Sequence, residues 1–119
     1  MPGCTNLFDA AVTLGNAAIT PLIDCAAAIL RNAGIRDAEA ARVASALFSQ
    51  TATDYAHSGK QSWAWYMRGP DVERIEAQIA AAGEHLGPVL RRLLLFGFER
   101  FDKYPEVAAA MKQRAVRTK

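Results

Sequence analysis

A line of polar side chains along the first predicted helix is the pattern in this sequence best suited to contact a ligand. Its members are spaced three or four residues apart, which places them on one face of an α-helix: Asn6, Asp9, Thr13, Asn16, Thr20 and Asp24. The residues between them are apolar or small, so we expect only this polar seam to meet water or a ligand. The seam is either a plain solvent face or the lining of a cleft. The cleft is suggested because Asn and Thr stand where a long, solvated Lys or Glu would serve equally well on open surface.

A group of aromatic residues lies near the middle of the chain and ends in an arginine. Trp63, Trp65 and Tyr66 are followed closely by Arg68. These rings serve either as core anchors or a dimer contact, or as a stacking wall beside Arg68 for an anionic or planar ligand.

Metal binding and nucleophilic catalysis are not indicated. The histidines are His57 and His85 and the cysteines are Cys4 and Cys25, and none of their spacings is typical of a metal site. Neighbouring residues do not supply a nucleophile together with an orienting base. We therefore predict neither a metal site nor a catalytic residue in this chain.

Length and composition fit one globular domain. The 119 residues are 51% hydrophobic and 22% charged, which predicts a single domain over 1–119 with frayed ends at 1–5 and 113–119. A net charge of +2 is too small to indicate nucleic acid as a partner. The longest uncharged stretch, 10–23, is shorter than the ~20 residues that cross a bilayer. We expect no membrane partner and, with two cysteines outside any disulfide framework, a cytoplasmic location.

Local propensity predicts an all-α fold of four to five helices around a long, kinked first helix. Alanine is abundant and β-branched alternation is missing. The predicted helices cover 6–32, 37–57, 70–82, 88–101 and the segment after 105, and the stretch 60–69 is the least regular. Pro21 predicts a kink near 17–21, and Gly34 is suited to cap the end of the first helix.

The fourth predicted helix holds too many apolar residues for one narrow stripe. Its candidate interface residues are Leu93, Leu94, Phe96, Phe98 and Phe101. Because five helices cannot easily bury this surface, we expect a homodimer.

Several short motifs occur in a characteristic order. Phe8–Asn16 precedes an apolar helix, Ala33-Gly34-Ile35 and Asp37–Ala40 follow it, and Arg68–Val72 precedes the third predicted helix. Together they resemble the helical C-terminal domain of uncharacterised Rossmann-type oxidoreductases, in the superfamily typified by 6-phosphogluconate dehydrogenase, over roughly 7–101. The resemblance implies a dimeric, cleft-forming domain. The substrate-cleft residues that it implies are Thr13, Asn16, Thr20 and Arg68.

The sequence also departs from this family. Phe8 replaces an opening histidine, and Val12 replaces the lysine that related β-hydroxyacid dehydrogenases place four residues before Asn16. No two of the eight glycines are two residues apart, which excludes a G-x-G dinucleotide loop and a P-loop. The resemblance thus implies a domain that is inactive alone and binds no cofactor itself, with NAD(P) held by a separate nucleotide-binding domain. The alternative is a free-standing helical module for protein interaction or small-ligand binding.

Overall fold

The computed structural model describes residues 2–117, and the side chains of residues 5–116. This part of the chain is all helical and contains no strand, which confirms the all-α prediction. The helices are α1 (Pro2–Gly15), α2 (Thr20–Asn32), α3 (Asp37–Ser58), α4 (Gln61–Tyr66), α5 (Val72–Ala82), α6 (Leu86–Arg100) and α7 (Pro105–Arg117). The described residues thus form more helices than predicted, because the first predicted helix is divided and a short helix lies within 60–69.

The division between α1 and α2 falls where Pro21 predicts a kink. Residues 16–19 form turns instead of continuing the helix. The amide of Ala18 donates to the Thr13 carbonyl at 3.0 Å, and the amide of Thr20 donates to the Asn16 carbonyl at 2.9 Å. Proline has no amide hydrogen and crowds the carbonyl four residues earlier, so the helix stops and restarts with Pro21 in its first turn.

The end of α2 is fixed by a glycine, as the sequence predicts. Gly34 has a φ of +101°, in the region that side chains disfavour. Its amide donates to the Arg31 carbonyl at 2.9 Å, and the amide of Ile35 donates to the Leu30 carbonyl at 3.1 Å. This pair of hydrogen bonds is the Schellman motif, which satisfies carbonyls that a helix end leaves open.

The chain divides into two compact units, one up to Ala56 and one from His57, and α3 runs through the division. In the first unit, the buried apolar side chains among the described residues are all alanines: Ala27, Ala40 and Ala44. An alanine methyl removes little apolar area from water. Within its described part, the first unit therefore has no fully buried large apolar side chain, although several are half-buried.

The large apolar side chains of α1 are exposed. On α1, Leu7 is 73% exposed, Phe8 70% and Leu14 66%. The prediction that other helices surround this segment is wrong for the described chain. The apolar circumference of a helix indicates that its burial is favourable, but the side chains that cover it must come from other helices. In the described chain, the large apolar side chains of α1 have no such cover.

The core of large side chains lies in the second unit. Its buried members come from α5, α6 and α7: Ile75, Ile79, Phe98, Val107, Ala108 and Met111. Half-buried side chains complete it, among them Trp63, Leu94 and Tyr104. The apolar spacing predicted for the third helix is confirmed, because Ile75 and Ile79 are each only 6% exposed.

An ion-pair network ties these three helices together. The Arg91 guanidinium on α6 donates to both carboxylate oxygens of Glu76 on α5, at 2.5 and 2.6 Å, and to the Met111 carbonyl on α7 at 3.0 Å. Arg114 on α7 donates to the carboxylate of Glu73 on α5. The hydrogen bond from Arg114, helped by its positive charge, holds the pKa of Glu73 below its ordinary value.

We expect the contribution of Glu73 to stability to disappear in acid. Since the folded-state pKa of Glu73 is lowered, its ionised form stabilises the fold fully above the unfolded-state value of 4.5, and this stabilisation is lost as pH falls through the folded pKa. Urea unfolding from pH 7 to pH 2 measures the difference in the free energy of unfolding between the wild type and Glu73→Gln. The wild type should be the more stable at neutral pH, and this difference should shrink below pH 4.5. Glu84→Gln, which alters an exposed residue outside this network, is the control, and an identical pH profile for both variants would contradict the assignment.

Candidate functional site

The polar seam is fully on the surface. All six of its residues are exposed. Thr13, Asn16 and Thr20 meet at the break between α1 and α2, where the Thr20 hydroxyl donates to the Asn16 carbonyl at 2.7 Å. The side-chain oxygen of Asn16 accepts from the amide of Ala17. Three of the predicted cleft residues therefore stand close together, and two of their polar side chains already take part in local hydrogen bonds.

The apolar sides of the same helix are exposed as well. The expectation that only the seam meets water is wrong for the described residues, since Leu7, Phe8 and Leu14 are more than half exposed. On α1, the seam is therefore one side of a helix whose apolar side chains are exposed as well. The fourth predicted cleft residue, Arg68, belongs to the second unit.

The structure separates the aromatic group into two parts. Trp63 packs edge-on against Phe98, with ring centroids 5.5 Å apart, and lies tilted against Phe101 at 5.0 Å. Trp65 and Tyr66 are about half exposed, at 50% and 52%. Trp63 is therefore a core residue, as the first of the two interpretations holds. Tyr66, in contrast, lies near Arg68 on the surface of the unit.

Close packing against Trp63 explains a glycine within α6. A Cβ atom placed on Gly97 would lie 2.9 Å from the indole nitrogen of Trp63. The ring has little freedom to move away, because Phe98 and Phe101 also contact it. Gly97 thus lets α6 approach the ring that α4 supplies.

A half-open groove lies at the turn that joins α4 to α5. Its volume is about 400 Å³, and its lining residues are Tyr66, Met67, Arg68, Gly69, Pro70, Asp71, Arg74, Ile75 and Gln78. Asp71 shapes the turn, because its carboxylate accepts the Glu73 amide at 3.0 Å and caps α5. The groove brings Arg68 and Tyr66 together, as the ligand-wall interpretation requires.

Sequence reasoning missed two polar residues of this groove, Arg74 and Gln78. They are four residues apart on α5 and so share one face of the helix. The sequence signal that could have located them is Asp71, a helix-capping residue type that stands just before the apolar stripe of α5. Only the fold brings Arg68 to the same groove.

The candidate interface residues divide between core and surface. Phe98 is 1% exposed and packs within the unit, so it is not available to a partner. Leu94 and Phe101 are half-buried. Leu93 and Phe96 are 45% and 67% exposed, and Val89, at 42%, extends them into a line along α6. We call Val89, Leu93 and Phe96 the α6 stripe.

Two further features bear on the sequence predictions. Within residues 5–116, no three His, Cys, Asp or Glu side chains form a group that could hold a metal ion. The stretch Thr5–Asn32 has a mean hydropathy of 1.5 in its most apolar window, of which 6% is buried, and by length and composition alone it could cross a membrane. Signal sequences pass the same test, so the predictions of no membrane partner and a cytoplasmic location stay predictions.

Comparisons with protein-family models, curated proteins and solved structures find no match for this chain.

Proposed function

We propose that the chain is the cleft-forming and dimerisation domain of an NAD(P)-dependent oxidoreductase, similar to the helical C-terminal domains of the 6-phosphogluconate dehydrogenase superfamily. The observation that carries the proposal is the α6 stripe. Val89, Leu93 and Phe96 are exposed on a helix that contributes four other side chains to the core, Leu90, Leu94, Leu95 and Phe98. An exposed apolar stripe on a folded unit is typical of a surface that associates with another protein surface. We place a second copy of the same stripe opposite it, as in a twofold dimer.

The substrate side of the proposal uses the residues at the α1–α2 break. Thr13, Asn16 and Thr20 offer hydroxyl and amide groups that bind polar substrates. None of the three seam residues ionises near neutral pH, so proton transfer requires a group from elsewhere in the enzyme. NAD(P) would be bound by a nucleotide-binding domain, since these 119 residues contain no G-x-G motif. We expect the chain alone neither to bind the dinucleotide nor to turn over substrate.

Light scattering after size-exclusion chromatography tests the dimer. We expect a mass of twice 12.9 kDa at micromolar concentration, falling toward the single-chain mass on dilution. The double variant Leu93→Glu/Phe96→Glu places two charges on the α6 stripe and should be monomeric, because charges are depleted from the core of an interface. Leu47→Glu, at another exposed leucine, should leave the mass unchanged. A wild-type monomer at every concentration would refute the dimer.

The alternative is a free-standing helical interaction module. The exposure of Leu7 and Phe8 favours it, because α1 then offers a second uncovered apolar surface to a protein partner. The surrounding coding sequence separates the two functions. A predicted strand followed by G-x-G-x-x-G, in frame or in an adjacent gene, supports the oxidoreductase, and its absence supports the module.

A further inference from the structure

The groove between α4 and α5 carries an unneutralised positive charge. Two guanidiniums, Arg68 and Arg74, line it, and Asp71 is the one acidic residue among its lining residues. Within residues 5–116, neither arginine forms an ion pair with a side chain, and both are exposed. Asp71 already uses a carboxylate oxygen to cap α5. The groove therefore has a net charge of one positive unit, supplied by groups free to bind a ligand.

The acidic residues of α5 do not reduce this charge. Glu73 accepts from Arg114, and Glu76 accepts from Arg91. The spacing of α5 places these two glutamates on one face of the helix and Arg74 on another. Both glutamates are thus neutralised by arginines of α6 and α7, which leaves the groove face of α5 basic.

The walls of the groove are suited to a flat organic group. Tyr66, which is 52% exposed, lines the groove together with the half-buried Met67 and the edge of the buried Ile75. A volume of about 400 Å³ lies within the range found for small-molecule sites. Arginine binds carboxylates and phosphates through paired N–H groups, and a tyrosine ring stacks on planar ligands.

We infer that this groove binds a small aromatic oxyanion, with its phosphate or carboxylate group on Arg68 and Arg74 and its ring against Tyr66. The inference does not rest on the proposed oxidoreductase function, because it is argued only from the lining, charge and volume of the groove. Light scattering tests the dimer, whereas ligand titration tests the groove, so failure of either is distinguishable from failure of the other.

NMR titration of the ¹⁵N-labelled chain tests the inference, with the amides of Gly69 and Arg74 as local reporters. The probes are phenyl phosphate and benzoate, with inorganic phosphate as the ring-free control and benzyl alcohol as the uncharged one. We expect at least one of the two aromatic oxyanions to bind more tightly than both controls. Arg68→Gln and Arg74→Gln should each weaken that binding about tenfold or more, since each removes a charge-assisted hydrogen bond. Tyr66→Ala should bring the affinity for the aromatic probe close to that for inorganic phosphate.

Arg92→Gln is the matched control, because Arg92 is another exposed arginine of the same unit but does not line the groove. It should leave the dissociation constant of the aromatic oxyanion within about twofold. If Arg92→Gln weakened binding as much as Arg68→Gln and Arg74→Gln do, the anion would be attracted to a basic surface in general, and the proposed site would be overturned. Binding of benzyl alcohol as tight as that of phenyl phosphate and benzoate, or no amide shift with either anion up to about 10 mM, would overturn it as well.

Discussion

Phe98→Ala should lower the free energy of unfolding of the second unit by about 3–5 kcal/mol, the usual cost of deleting a fully buried aromatic side chain. Phe98 is 1% exposed. Its ring meets Trp63 and Tyr104 edge-on, with centroids 5.5 and 6.2 Å away. The substitution removes both ring contacts and leaves a cavity that these neighbours fill only in part. Urea unfolding followed by tryptophan fluorescence measures the loss, because Trp63 reports directly on this core.

Phe96→Ala is the matched control for this change. It deletes the same side chain two residues away on the same helix, at a position that is 67% exposed. The free energy of unfolding should change by no more than about 0.5 kcal/mol. Both variants are measured at the lowest protein concentration that fluorescence allows, so that dissociation of a dimer does not enter the comparison. Equal losses for the two substitutions would contradict the assignment of Phe98 to the core and Phe96 to the surface.

Arg91→Met should destabilise the same unit by about 2–3 kcal/mol, less than the loss typical of a fully buried ion pair, because this pair is only partly buried. The side chains of Arg91 and Glu76 are only 12% and 14% exposed. Methionine fills much of the space but donates no hydrogen bond. The Glu76 carboxylate and the Met111 carbonyl therefore lose the donors that Arg91 supplies to them. The loss in the free energy of unfolding is again obtained from urea unfolding, through the midpoint and slope of the curve.

A second substitution distinguishes the cost of an unpaired charge from the cost of lost packing. Arg91→Met/Glu76→Leu removes both charges and should recover most of the loss, because a buried ion pair replaced by apolar groups is often neutral in stability. Arg42→Met breaks an exposed pair, in which the side chains of Arg42 and Glu39 are 75% and 55% exposed, and should cost less than about 1 kcal/mol. A double variant no more stable than Arg91→Met would refute the ion-pair explanation.

The groove shows how much of a site local sequence can predict. Arg68 was a candidate from the sequence because it follows a group of aromatic residues, and Asp71 has the residue type of a helix cap. Arg74 was not a candidate, because an exposed arginine in a helix is ordinarily a solvated residue. Its role depends on the fold, which pairs Glu73 and Glu76 with arginines of α6 and α7.

The α6 helix shows the same limit for packing. Its sequence predicts more apolar surface than one stripe can bury, and this is confirmed by the exposed Leu93 and Phe96 beside the buried Phe98. Spacing alone did not separate them, because consecutive turns of the helix present large apolar residues on several sides. The position of Trp63, which approaches closely enough to require Gly97, decides which side is buried.

Local residue patterns were sufficient to predict the helical class, the break near Pro21, the glycine cap at Gly34 and the apolar spacing of α5. Each of these depends on residues within a few positions of one another, where backbone sterics and local hydrogen bonds act. Packing between distant segments, in contrast, places the large core in the second unit and leaves α1 exposed. The same packing pairs Arg91 and Arg114 with glutamates and leaves Arg68 and Arg74 to bind an anion. These outcomes depend on side chains supplied by distant segments, and no local pattern encodes which of several apolar faces will find a partner.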